Sequence, residues 1–195
     1  MKNLKIFVAR AYGAERRSFI QCVSDILVDT VESSTPLPYK TATGATLRTV
    51  AMDFGRTTLS DELNIYYFGN PGYSSAITLL DILDQNHIAA EQNGFVLIVQ
   101  SHQSGDDEEY KRILGMLQKQ NRPYMIALTQ SHPIKRSPDH IRTLFHIPDD
   151  IKILTYDRNQ PATAKQAVLE LLGIMPQNDL VQQAIEGLKA QIEEA

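Results

Sequence analysis

The chain has 195 residues, of which 19 are basic, 23 acidic and one is cysteine, and its formal net charge is −4. That length suits one well-buried domain, because a chain of this size buries roughly two-thirds or more of its unfolded surface. Evenly mixed charge gives no field for a polyanion, a single thiol rules out a disulfide framework or a Cys-rich metal site, and no run approaches ~18 consecutive apolar residues, so the expectation is a soluble cytoplasmic protein without nucleic-acid binding or membrane insertion.

The chain opens on an apolar strand, Leu4 to Val8, then a loop, then a helix whose apolar residues include Phe19, Ile20 and Val23. A phosphate-binding loop occupies this place in nucleotide-binding domains. It reads Gly, four residues, Gly-Lys-Ser/Thr, so that backbone N–H groups cradle the phosphates while the Lys reaches the terminal ones and the hydroxyl holds Mg²⁺. Here Arg10 and Glu15 stand at the two glycine positions, and Arg16 and Arg17 stand for the Lys and the hydroxyl residue. Side chains at the glycine positions obstruct the close approach of backbone to phosphate. Glu15 is an anion at a helix N-terminus, the place that would otherwise attract phosphate, so the site reads as self-quenched. Gly13, Arg16, Arg17 and Ser18 are what remains of it. Arg10, Arg16 and Arg17 point either to a new anion site or to ion pairs with Glu15 and nearby carboxylates.

Further along, short apolar runs alternate with helical segments, the rhythm of βαβ units around a mostly parallel sheet. Strands are expected at Leu4 to Val8, Leu47 to Phe54, Leu63 to Phe68, Gly94 to Gln100, Tyr124 to Leu128 and Ile151 to Thr155, giving six strands with one antiparallel edge; Gly55 to Glu62 reads as a hairpin connection. Helices are expected at Arg17 to Ser24, Ala76 to Gln85, Asp106 to Gln120, Pro138 to Leu144 and Thr163 to Leu172. Val28 to Thr46 reads as a long polar loop. Residues 1–175 form the main domain on this reading. Residues 176–195 add an amphipathic helix, with Leu180, Ala184, Leu188 and Ile192 on one stripe that packs on the domain or on a partner.

The string Thr49-Val50-Ala51-Met52-Asp53-Phe54-Gly55-Arg56, with Tyr67-Phe68-Gly69-Asn70-Pro71-Gly72 after it, resembles the bacterial and archaeal small Ras-like GTPases related to the gliding-motility protein MglA, members of the P-loop NTPase superfamily. The resemblance covers about residues 2 to 173. It implies a small GTPase-like α/β fold with helices on both faces of the six-stranded sheet, and a Roadblock-type dimer as partner. It also implies that Thr49 is the switch threonine facing Mg²⁺ and the terminal phosphate, and that Pro71 and Gly72 form the second switch turn. Tyr73 then replaces the Gln that orients the attacking water, a task a phenol cannot duplicate. Thr129-Gln130-Ser131-His132 replaces the base-reading Asn-Lys-x-Asp, and Tyr156-Asp157-Arg158 stands at the closing turn.

With these motifs altered, the expectation is a non-catalytic pseudo-GTPase acting as an interaction module in signalling or polarity, without cofactor or metal. Its switch regions, Val28 to Thr49 and Gly69 to Thr78, would be the recognition surface. Tyr66, Tyr67, Asn70, Pro71 and Tyr73 would lie on it, exposed Tyr being enriched at interfaces, and self-association is a further expectation. The alternative is a slow GTP-binding and hydrolysing enzyme that keeps GTP or GDP with Mg²⁺ through Arg16, Ser18 and Thr49.

Five histidines at 87, 102, 132, 140 and 146 lack metal-ligand spacing. The acidic run Asp106 to Glu109 reads as helix initiation. Ser101-His102 and Ser131-His132 lack the surroundings of a hydrolase nucleophile. Cys22 reads as a buried structural thiol.

Overall fold

The computed structural model describes residues 2–10, 15–36, 47–69, 93–101, 107–119, 121–130 and 136–193. The expected helix from Ala76 to Gln85 lies outside them.

Seven strands form one sheet in the order β2-β3-β4-β1-β5-β6-β7: β1 Lys2–Ala9, β2 Asp29–Pro36, β3 Leu47–Ser60, β4 Leu63–Gly69, β5 Asn93–Gln100, β6 Tyr124–Thr129 and β7 Ile153–Tyr156. From β4 to β7 every pairing is parallel, while β2, β3 and β4 pair antiparallel at one side. The described helices are α1 Glu15–Val23, α2 Asp107–Lys119, α3 Pro138–Phe145, α4 Pro161–Ile174 and α5 Asp179–Glu193.

The central strands are apolar on both sides because helices cover both faces, as parallel sheets require. Alternation along β1 sends Leu4, Ile6 and Val8 into the core shared with α1, α4 and α5, and Phe7 and Ala9 into the core shared with α2 and α3. Helix α2 starts on Asp107, Glu108 and Glu109 and ends on Lys119, which suits its dipole. Helix α3 is capped by Ser137, whose side chain accepts from the His140 N–H, has Pro at its first position, and stops at His146 in the left-handed conformation.

Two differences from the expected sheet have physical causes. The segment from Val28 to Thr46 is not all loop: Asp29–Pro36 is an edge strand paired residue for residue with β3 from Asp29↔Phe54 to Pro36↔Leu47. Its polar Ser and Thr residues conceal a strand that needs only one partner. Strand β3 also runs past Gly55 to Ser60, leaving Asp61 and Glu62 as the turn. Gly55 punctuates nothing; a Cβ there would stand 2.5 Å from Ile20 Cγ2, so the glycine lets α1 lie close against β3.

The C-terminal helix α5 packs on its own chain. Leu180, Val181, Ala184 and Leu188 are buried in the same core as β1 and α4, with Ile192 partly buried beside them. Each large side chain so buried contributes roughly 1.5–3 kcal/mol. Gly187 brings the helix against Leu59 of β3, and Gln191 Nε2 donates to the Thr58 carbonyl at 2.9 Å.

Candidate functional site

The start of α1 faces a row of residues running across the sheet. Thr30 of β2 lies opposite Asp53 of β3, Asp53 opposite Gly69 of β4, and Gly69 opposite Val8 of β1. Because β3 alternates, Asp53, Gly55 and Thr57 all turn toward α1, and the first turn of that helix brings Arg16 and Arg17 down onto the row.

Arg16 donates to Asp53 Oδ2 from Nε at 3.0 Å and from Nη2 at 2.8 Å. Arg17 takes the other carboxylate oxygen, with Nη1 at 3.3 Å from Asp53 Oδ1 and 3.1 Å from Thr30 Oγ1, while its Nη2 donates to the Val28 carbonyl at 2.6 Å. Thr30 Oγ1 also donates to Asp53 Oδ1 at 3.4 Å. The Arg16 and Asp53 side chains are 15% and 8% exposed, and Arg17 is 44% exposed. A carboxylate this deep requires its oxygens to be bonded, and both are.

Gly69 makes this arrangement possible. A Cβ there would stand 2.8 Å from Arg16 Cδ and Nε and 3.1 Å from Asp53 Cβ. The Arg16 side chain thus lies over the bare backbone at the end of β4, and a side chain at position 69 excludes it.

Behind the cluster, Tyr67 is fully buried with its hydroxyl 3.1 Å from Thr57 Oγ1, and Thr57 in turn donates to the Val23 carbonyl. Burial pushes the Tyr67 phenol well above its ordinary range. Cys22, half-buried, lies 3.8 Å from the Tyr156 hydroxyl; burial raises its pKa, with the Tyr156 hydrogen bond opposing and Asp157 adding a smaller rise.

Of the residues expected at the site, the structure brings Arg16 and Arg17 together and adds a partner the sequence reading gave no role, Asp53. Ser18 follows them, half-buried, in α1. Thr49 lies in β3 opposite Ser34, four residues from Asp53 along the strand. Glu15 begins α1, and Asp53 brings a carboxylate from the sheet to both arginines. Gly13, Asn70, Pro71, Gly72 and Tyr73 lie outside the described residues. Tyr67 is corrected: at 0% exposure it belongs to the core and cannot form a partner surface, because β4 turns it toward α1 with Leu63 and Ile65. Tyr66 points to the other face and stacks on Phe54 at 5.6 Å, half-buried. Thr129 is buried at the end of β6. Among the described residues, no three His, Cys, Asp or Glu side chains gather as a metal site requires, and no helix is long and apolar enough to cross a membrane.

No protein-family model and no curated protein matches this chain. Solved structures do. A variant of Aquifex aeolicus Era bound to GDP and AlF4⁻ superposes with a TM-score of 0.56 at 14% identity, over 92% of this chain and 59% of that one. The fold is that of a P-loop GTPase domain. Era in complex with MgGDPNP and a segment of 16S ribosomal RNA gives 0.55 at 14% identity, again over 92% of this chain and 59% of that one. The FeoB G-domain from Methanococcus jannaschii gives 0.51 at 14%, over 88% of this chain and 98% of that domain. The chain thus spans about three-fifths of the Era chains but nearly all of the isolated G-domain.

Proposed function

We propose that this chain is a GTPase-fold protein that does not turn over nucleotide and acts as a protein-interaction module, as a pseudo-GTPase. The observation that carries the reading is the Arg16–Asp53 pair. The residue at the phosphate-loop Lys position is bonded to a buried carboxylate, and the next position, where a hydroxyl would hold Mg²⁺, is an arginine on the same carboxylate. These residues do not fit the phosphates of a Mg²⁺-nucleotide. A phosphate drawn to Arg16 meets Asp53, and two like charges about 4 Å apart repel by about 4 kcal/mol at an effective dielectric of about 20. That repulsion weakens binding by roughly a thousandfold. The replaced residues at Tyr73 and at Thr129 to His132 support the same reading.

A module of this kind offers the surface around edge strand β2 and Tyr66 without waiting for a nucleotide. The partner we propose is another cytoplasmic protein in signalling or polarity, a Roadblock-type dimer by resemblance, with a second copy of the chain as the competing occupant. Affinity capture with the purified chain, nucleotide-free and with added GDP or GTP, tests this. The proposal expects a partner retained equally in all three conditions and weakened by Tyr66→Ala. Retention only with GTP contradicts it.

A further inference from the structure

Resting on that reading, we propose that Leu27, on the turn between α1 and β2, is the apolar anchor through which the interaction surface holds a partner protein, and that the partner offers an apolar pocket with a basic residue at its rim. Among the described residues only two large hydrophobic side chains are exposed, Ile174 at 36% and Leu27 at 95%. The fold makes no use of Leu27, because a side chain so exposed buries almost no apolar area. A single surface leucine is ordinary on a loose loop, but this turn is fastened on both sides of it. Before it, the Ser24 hydroxyl shares its proton between the Ile26 and Arg56 carbonyls at 2.8 and 3.1 Å and accepts the Ile26 and Arg56 N–H groups at 3.2 and 3.0 Å, while the Asp25 N–H donates to the Arg56 carbonyl at 2.8 Å. After it, Val28 is buried and its carbonyl accepts from Arg17 Nη2 at 2.6 Å. Leu27 is thus presented on a backbone already fixed, and docking onto it carries little ordering cost.

The surroundings of the turn set the chemistry of the partner. A strand cannot be added to β3 beside it, because the backbone groups there are already taken: Arg56 by Ser24 and Asp25, the Thr58 N–H by Asp25 Oδ2 at 2.7 Å, and the Thr58 carbonyl by Gln191 Nε2 at 2.9 Å. Recognition at the turn therefore runs through side chains. Two exposed acids flank Leu27. Asp25 has Arg56 Nε at 4.0 Å, whereas among the described residues no cation pairs with Asp29, whose Oδ1 accepts the Thr30 N–H at 2.8 Å. A basic residue beside the pocket complements that charge. A second copy is disfavoured as occupant, since a two-fold contact sets the same patch against itself and brings Asp29 toward Asp29. The turn also continues the surface already proposed: Asp29 is paired with Phe54, on which Tyr66 stacks at 5.6 Å, and residues paired across strands share a face.

The test places the photoreactive residue benzoylphenylalanine at position 27 of the full chain, and separately at position 186 on the exposed side of α5, in the cells that produce the protein. The expected result is a discrete adduct to another protein from position 27 and none from position 186. The captured protein is then purified, and its affinity is measured for the wild type, Leu27→Ala, Asp29→Asn and Tyr66→Ala, with thermal unfolding of each variant. Leu27→Ala should weaken binding about tenfold or more with Tm unchanged, since the leucine contributes to docking and not to the fold. Asp29→Asn keeps the bond to Thr30 and loses the charge, so it should slow association, and the difference from the wild type should shrink as salt is raised. An adduct that joins two copies of this chain, no adduct at all, or equal affinity of wild type and Leu27→Ala overturns the proposal. Weakening by Tyr66→Ala without weakening by Leu27→Ala rejects the anchor and leaves the interaction-module reading standing. A partner held through Leu27 only in the presence of GTP supports the anchor and overturns the pseudo-GTPase reading.

Discussion

Replacing Gly69 by alanine isolates the contact on which the site depends. The added Cβ stands 2.8 Å from Arg16 Cδ and Nε, a separation side chains do not keep. Those atoms lie far along a flexible side chain, so the arginine swings aside rather than the sheet deforming. Asp53 Oδ2 then loses donors at 3.0 and 2.8 Å, while Oδ1 keeps Arg17 at 3.3 Å and Thr30 at 3.4 Å. Charge-assisted hydrogen bonds contribute about 1.5–3 kcal/mol net, and removing glycine's freedom from the unfolded chain returns about 0.4–1 kcal/mol. The net loss is about 1–2 kcal/mol, a fall in Tm of roughly 2–8 °C for a chain of this size. The decisive assay is a double-mutant cycle by urea unfolding. In an Arg16→Ala background the two 2.8 Å contacts are gone and the one with Asp53 Cβ at 3.1 Å stays, so Gly69→Ala should cost distinctly less there than in the wild type. Effects that add within about 0.5 kcal/mol would refute the placement of Arg16 over Gly69.

Three further outcomes follow from the packing behind the site. Tyr67→Phe removes a buried hydroxyl and the hydrogen bond it shares with Thr57 Oγ1, so urea unfolding should show a loss of about 1 kcal/mol. Because the folded-state pKa of Tyr67 lies above its unfolded value of about 10, its contribution is complete below that pH; stability should then fall by about 1.4 kcal/mol per pH unit above it, less steeply in Tyr67→Phe. Cys22, its thiol raised by burial, should react with a thiol reagent at pH 7 more slowly than a free cysteine and catch up only on unfolding in urea; reaction at the free rate would show an open site. Leu188→Ala should cost about 2–5 kcal/mol by the same unfolding assay, since that residue is fully buried where α5 meets the core; an appendage only loosely attached would lose little.

Much of the fold was legible because its signals are strong. The continuous apolar run of β5, the paired apolar faces of β1 and the acidic start of α2 each admit one reading. Edge strand β2 was not legible, since Ser33, Ser34 and Thr35 carry no apolar alternation and the strand exists through its ladder to β3. Gly55 misled in the same region, as its lack of a side chain serves a helix and not a turn. At the site, the sequence marks Arg16 and Arg17 as departures from a phosphate loop and offers Glu15, beside them, as a quenching carboxylate. The carboxylate bonded to Arg16 is Asp53, 37 residues beyond it. Only the register placing Thr30, Asp53 and Gly69 in one row reveals it, and no local pattern encodes register between strands whose partners are unknown. Tyr67 went astray for a related reason: a strand presents alternate residues to opposite faces, and without the position of α1 the face of a lone tyrosine is undetermined.

The central claim is that Asp53 occupies the charge a nucleotide phosphate would need. Calorimetry of the nucleotide-stripped wild-type chain with GTP, GDP and ATP, with and without Mg²⁺, tests it most directly, at concentrations that detect dissociation constants near ~100 μM, or about 5.5 kcal/mol. The account predicts no saturable heat in any titration. Saturable, Mg²⁺-dependent binding of a nucleotide would contradict it.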